Sequence, residues 1–136
     1  MKFVLLNICL KKKEFLILIF SMLMTDGFAG TIYINPDTRN KIMDGSVEKP
    51  YKNCGQFEIS SGNTYLQKAG TVSALDNYIF IKSVKNCQLG SYGKRSLPEI
   101  HYNGTKRLFD IYYAENFHIK DLKFVLATQS VCAIKY

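Results

Sequence analysis

Tyr78-Ile79-Phe80-Ile81-Lys82, followed by Asn86-Cys87-Gln88-Leu89, is the stretch that decides the fold, because it occurs again 30 residues later. The second copy reads Leu108-Phe109-Asp110-Ile111-Tyr112, followed by Asn116-Phe117-His118-Ile119. Ile79 corresponds to Phe109, Ile81 to Ile111, Asn86 to Asn116 and Leu89 to Ile119. A third, partial copy begins at Val131-Cys132-Ala133-Ile134-Lys135. Apolar residues alternate with polar or exposed ones at a period of two, which is the signature of a strand. A strand-like unit repeating every 20–50 residues marks stacked, solenoid-like architecture.

The spacing puts equivalent residues one coil apart, so strands stack in parallel at ~4.8 Å. Inward ladders are then expected: Ile79/Phe109/Cys132, Ile81/Ile111/Ile134, Cys87/Phe117 and Leu89/Ile119. Each large apolar side chain buried in this way contributes ~1.5–3 kcal/mol. Asn86 and Asn116 fall at the same corner, where stacked amides hydrogen-bond each other and tolerate a left-handed backbone. A pair of sugar-binding amides is the other reading of these two residues.

Working outward, Thr31-Ile32-Tyr33-Ile34 predicts a short β-branched strand that Asn35-Pro36-Asp37 stops. A polar loop follows to Pro50. Tyr51 to Ile59 has room for one or two helical turns, which Gly55 weakens. Thr64 to Lys68 reads as a strand, Thr71 to Asp76 as a connector, Ser91 to Ser96 as a loop, and Pro98 to Tyr102 as a third short strand. Asn103-Gly104 reads as a tight turn.

Met1 to Ala29 has the layout of a secretory signal peptide. Lys2 and Lys11-Lys12-Lys13 supply the positive region, Phe15 to Met24 the apolar run, and Gly27-Phe28-Ala29 a small-residue cleavage site. The apolar run is too short to span ~30 Å of hydrocarbon as a helix. The expected organisation is therefore a signal peptide at 1–29, a cap with the first strands at 30–76, and repeating coils at 77–136. The product is expected to be secreted, periplasmic or at the cell surface, with no stable membrane anchor after cleavage. The chain beyond Ala29 keeps 14 basic and 9 acidic residues, a net charge of +5. Such a balance reads either as an ordinary solvated surface of positive sign or as attraction to an acidic partner, for which in an exported protein a uronate-containing polysaccharide fits better than nucleic acid.

Export permits disulfides. Cys54, Cys87 and Cys132 are an odd set, and two of them fall at inward positions, so buried thiols are expected. A Cys54–Cys87 bridge is the other reading. No pair has zinc-ligand spacing.

The mature part resembles the N-terminal portion of the right-handed parallel β-helix proteins, the pectate-lyase-like superfamily. Tyr33-Ile34-Asn35-Pro36 with Asp44-Gly45-Ser46 and Lys49-Pro50-Tyr51-Lys52 is similar to that family's first strand and the loop after it. Ser61-Gly62-Asn63-Thr64-Tyr65-Leu66-Gln67-Lys68-Ala69-Gly70-Thr71 resembles its Gly-Asp-Thr strand. Leu89-Gly90-Ser91-Tyr92-Gly93 with Pro98-Glu99-Ile100 resembles its Tyr-Gly…Pro-x-Ile segment. Asn63 departs from the usual Asp, and Gln67 falls where an inward apolar residue is expected. The fold the resemblance implies is all-β: a right-handed parallel β-helix of about three coils with an N-terminal cap, truncated relative to the family. The activity it implies is cleavage of polysaccharide by a lyase or hydrolase, and it implies Ca²⁺ as a cofactor. No motif here maps onto the family's catalytic residues, and none is assigned.

From the residues themselves, the outward row offers Phe80 beside Asp110 and Lys82 beside Tyr112, with His118 beside Gln88. Phe80, Lys82, Asp110, Tyr112 and His118 are the candidate substrate-binding residues; Tyr112, Tyr113, Phe80 and Lys82 read as an aromatic and basic platform for a sugar chain, with ordinary strand composition as the other reading. No two acids share an adjacent outward position, whereas glycoside hydrolysis needs a carboxylate pair ~5–9.5 Å apart. Two expectations therefore stand: part of an exported polysaccharide-degrading enzyme with its active site beyond Tyr136, or a non-catalytic carbohydrate-binding module or inactive remnant.

Overall fold

A computed structural model describes residues 29–127. The signal segment up to Phe28 and the partial third copy at 131–135 lie outside the described residues. Nine strands are present among those described: β1 (Thr31–Ile34), β2 (Thr64–Lys68), β3 (Val72–Leu75), β4 (Ile79–Lys82), β5 (Lys85–Tyr92), β6 (Glu99–Tyr102), β7 (Phe109–Tyr112), β8 (Glu115–Ile119) and β9 (Lys123–Leu126). They form three parallel sheets: sheet A in the order β1-β2-β5-β8, sheet B as β3-β6-β9, and sheet C as β4-β7. From β2 onward the chain visits A, B and C in turn, and each return lays a strand beside the one placed a circuit earlier. No described helix is long and apolar enough to cross a membrane.

The expected register holds. Ile79 pairs with Phe109, Phe80 with Asp110, Ile81 with Ile111 and Lys82 with Tyr112. Cys87 pairs with Phe117, Gln88 with His118 and Leu89 with Ile119. Inward side chains from all three sheets meet in one core that includes Ile34, Tyr65 and Leu89 from A, Leu75, Ile100 and Tyr102 from B, and Ile79, Ile81, Phe109 and Ile111 from C.

The corners explain the 30-residue repeat. Ser83 and Asn86 have φ of 56° and 54°, and their counterparts Tyr113 and Asn116 have 54° and 53°. Asparagine tolerates the left-handed region because its short amide bonds locally. The two amides also bond each other, Asn116 Nδ2 donating to Asn86 Oδ1 at 2.8 Å. Beside them Lys85 and Glu115 pair at 2.7 Å.

The first strand is sealed by the loop that follows it. Tyr33 N donates to Gly45 O, Tyr51 N to Tyr33 O and Asn35 N to Tyr51 O, so the outer edge of β1 has backbone partners. Asp44 Oδ1 accepts from Ser46 N at 2.9 Å and shapes that loop, and hydrogen bonds from the Ser46 side chain first and its backbone N–H second hold the Asp44 carboxyl below its ordinary range. Gly45 lies at φ 83°, and a Cβ there would stand 2.8 Å from the Tyr51 ring. Phe57 stacks on Tyr65 at 5.1 Å and covers the same end of the core. Asn63, at the position where Asp is usual in the resembled family, accepts from Gly30 N at 3.0 Å through Oδ1, a bond a carboxylate oxygen accepts equally well.

Three local expectations are corrected. Residues 71–76 are not a connector: Val72–Leu75 is a strand whose inward row carries Ser73, and a small polar residue there disguises the alternation. Tyr51 to Ile59 holds only the 3₁₀ turn Cys54–Gln56, because Asn53 caps it and Phe57 is already extended. Ser91 and Tyr92 belong to β5 and not to a loop, since β2 runs alongside and pairs Gln67 with Ser91 and Lys68 with Tyr92.

Gln67 is fully buried, as its inward position demands, and its amide is satisfied. It donates to Glu99 O at 3.1 Å and accepts from Ser73 Oγ at 3.1 Å, so the polar residue on β2 and the polar residue on β3 answer each other. Cys54 and Cys87 are both buried and free, so the bridge reading fails. Burial pushes the Cys54 thiol up to about 12, while Cys87 Sγ donates to Ser60 O at 2.8 Å.

Candidate functional site

Sheet C carries the site. On β4 and β7 the inward residues Ile79, Ile81, Phe109 and Ile111 are at most 5% exposed, which drives Phe80, Lys82, Asp110 and Tyr112 to the outer face. Phe80 lies 5.9 Å from Tyr112, ring centre to ring centre, and 6.4 Å from Tyr78 in an edge-on contact. Tyr78, Phe80 and Tyr113 are the strongly exposed aromatic residues among those described, at 45%, 51% and 80%, and all three lie on or beside the strands of sheet C. Tyr113 has positive φ just past β7. An aromatic side chain in that region costs ~1–2 kcal/mol, which the circuit's corner geometry imposes.

Four of the five candidate residues are thus brought together. His118 is not: it lies on β8 in sheet A beside Gln88, with Nε2 2.7 Å from Asn116 Oδ1. Its contact is with the amide pair at the corner. Asp110 is on the platform, but Arg107 Nη1 sits 3.4 Å from its Oδ1, so its charge is countered within the site.

Three residues that the sequence analysis left out of the site are placed in it by the fold. Tyr78 forms a wall shared by three hollows. One, of about 300 Å³, lies between β4 and the segment Cys54–Ile59. A second, of about 280 Å³, is lined by Tyr78, Lys106, Arg107 and Asp110. The third, of about 330 Å³, also includes Lys106 and is bounded by Asp76 and Asn103. Tyr78 was legible, since it stands two positions before Phe80 on the same alternating face. Lys106 and Arg107 were visible as a basic pair, but nothing local says that their loop passes the start of β4.

Among the described residues no three His, Cys, Asp or Glu side chains gather in a group suited to a metal ion. The one carboxylate on the platform is bound to Arg107. This donor set does not match the calcium that the family resemblance implies. A separate charged group, Glu99 with His101 at 2.8 Å and Lys123 at 2.7 Å, lies on sheet B. Its acid is occupied on both oxygens, and these bonds, His101 first and Lys123 second, hold the Glu99 carboxyl below its ordinary range.

The site is therefore a shallow surface of rings flanked by Lys82, Lys106 and Arg107. Rings of this kind suit stacking on flat apolar faces, and such cations suit an anionic group. Comparison with family models, with curated proteins and with solved structures found no match for this chain.

Proposed function

We propose that the chain winds as an exported right-handed parallel β-helix and that the outer face of sheet C binds an acidic polysaccharide. The cyclic order of the sheets and the parallel register support the winding. The observation that carries the binding is the gathering of exposed aromatic rings on the one sheet that Lys82, Lys106 and Arg107 also flank. A pyranose ring presents an apolar face to an aromatic ring and a carboxylate to a cation. The net charge of +5 beyond Ala29 acts in the same sense at longer range. Polymer cleavage rests on the family resemblance alone. Binding rests on residues in place.

Affinity electrophoresis of the exported protein tests this, in gels containing polygalacturonate or an uncharged dextran. Retardation is expected in the acidic polymer, weakening with salt. Phe80→Ala and Lys82→Ala are each expected to lower affinity by about tenfold, the scale of ~1.4 kcal/mol. Equal mobility in both gels would sink the proposal.

A further inference from the structure

The two strands that begin sheets A and C have different outer edges. The edge of β1 is bonded to Gly45 and Tyr51, as described above. The edge of β4 is not. Ile79 N donates to Leu108 O at 2.7 Å and Ser83 N to Tyr112 O at 2.9 Å. In a parallel ladder, alternate residues bond to the same neighbour. Residues 79, 81 and 83 therefore direct their main-chain groups to β7, and Phe80 and Lys82 direct theirs the opposite way. Among the described residues no main-chain hydrogen bond joins Phe80 or Lys82 to Cys54–Ile59, the segment facing them across the hollow of about 300 Å³. That segment is a 3₁₀ turn followed by irregular chain, not a strand, so it cannot complete the ladder.

We infer that this unpaired edge of β4 is a ligand-binding edge, at which the main-chain N–H groups of Phe80 and Lys82 donate to an acidic sugar chain lying in the hollow. The inference rests on the polysaccharide reading above and adds the atoms that do the recognition. Backbone N–H and C=O groups along an open strand edge bond to water, and a ligand rich in hydroxyls and carboxylates replaces that water at both kinds. Two N–H and two C=O groups alternate along the edge at a fixed pitch, which side chains on a flexible stem do not offer. Charge complementarity selects an acidic sugar as the occupant: Lys82 lines the hollow at the same edge, together with Tyr78 and Phe80. Glu58, on the opposite wall, repels a carboxylate and so turns it toward β4.

Amide exchange measured by NMR on the full exported chain, with and without tetragalacturonate, tests this directly. The amides of Phe80 and Lys82 are expected to slow roughly tenfold or more, while those of Val72 and Ala74, which face away from the ladder on β3, stay unchanged. Lys82→Pro is expected to weaken binding beyond Lys82→Ala, because it removes an N–H that does not serve the ladder. Persistent protection at Ile81 shows that the strand survives the substitution. Calorimetric binding of the oligosaccharide with Phe80 and Lys82 amides unchanged would overturn the edge and leave the platform standing. No binding at all would overturn the platform reading and the edge with it. Slowing of the same amides by an uncharged extended peptide, and not by the sugar, would reassign the edge to strand addition and overturn the inference.

Discussion

Strands β5 and β6 of one circuit and β8 and β9 of the next carry the same pattern, yet among the described residues only the first pair is sealed. Cys87, Leu89, Ile100 and Tyr102 are at most 2% exposed. Their register partners Phe117, Ile119 and Phe124 are half-buried, and Leu126, beside Tyr102, is 36% exposed. Residue type does not account for this, since the second set is at least as apolar as the first. What differs is the presence of a strand on both sides: β5 lies between β2 and β8, while β8 has only β5 among the described strands. In stacked architectures a layer contributes little by itself, and its burial is a property of its neighbours.

The largest expected effect separates the two circuits directly. Leu89→Ala should lower unfolding stability by about 2–5 kcal/mol, the range for emptying a packed site. Ile119→Ala, one rung further on, should lower it by only about 1 kcal/mol, since less area is removed from water. Denaturant melts of the two variants measure this, and equal losses would show that the outer circuit is as well covered as the inner one.

The corners should behave in the opposite way, alike in both circuits. Asn86→Ala and Asn116→Ala each force alanine into positive φ and remove the amide bond between them, an expected loss of about 1–2 kcal/mol. Asn116→Gly keeps the backbone at ease and should cost less than Asn116→Ala. A large gap between the two alanine variants would mean that the turn depends on its neighbours and not on local geometry.

The smallest effect concerns the contact joining the circuits on sheet B. Glu99 on β6 holds Lys123 on β9 and His101 on its own strand. Its carboxyl lies below the ordinary 4.5 in the folded chain, so the stability it adds is complete above that value and is lost as pH falls through the folded value. Melting temperature should therefore drop between pH 6 and pH 3 slightly more in the parent than in Glu99→Gln. Parallel pH profiles would remove this clip from the account.

The stacking was legible because Ile79, Ile81, Cys87 and Leu89 recur with their counterparts at one spacing, and a period-two strand leaves a single way to bury them all. Strand β3 was hidden because Ser73 occupies an inward place. Only the approach of Gln67 makes a hydroxyl acceptable there, and that approach is a contact between two strands. For the site, alternation delivered Phe80, Lys82, Asp110 and Tyr112 to one face. It also delivered His118 to an outward face, but of a different sheet, because the turn at Tyr113 and Asn116 sends the chain round a corner that a linear reading flattens.

By itself the sequence determined, within the 30-residue repeat, which residues face inward, which stack on which, and that Asn86 and Asn116 turn the backbone left-handed. These follow from local sterics and from the solvent's exclusion of apolar surface, both of which are written residue by residue. Only the tertiary structure decided that Arg107 counters Asp110, that Tyr78 divides three hollows, and that the edge of β4 has no other described strand against it. Those depend on distances between segments far apart in the chain, which close only when the circuits are laid one on another.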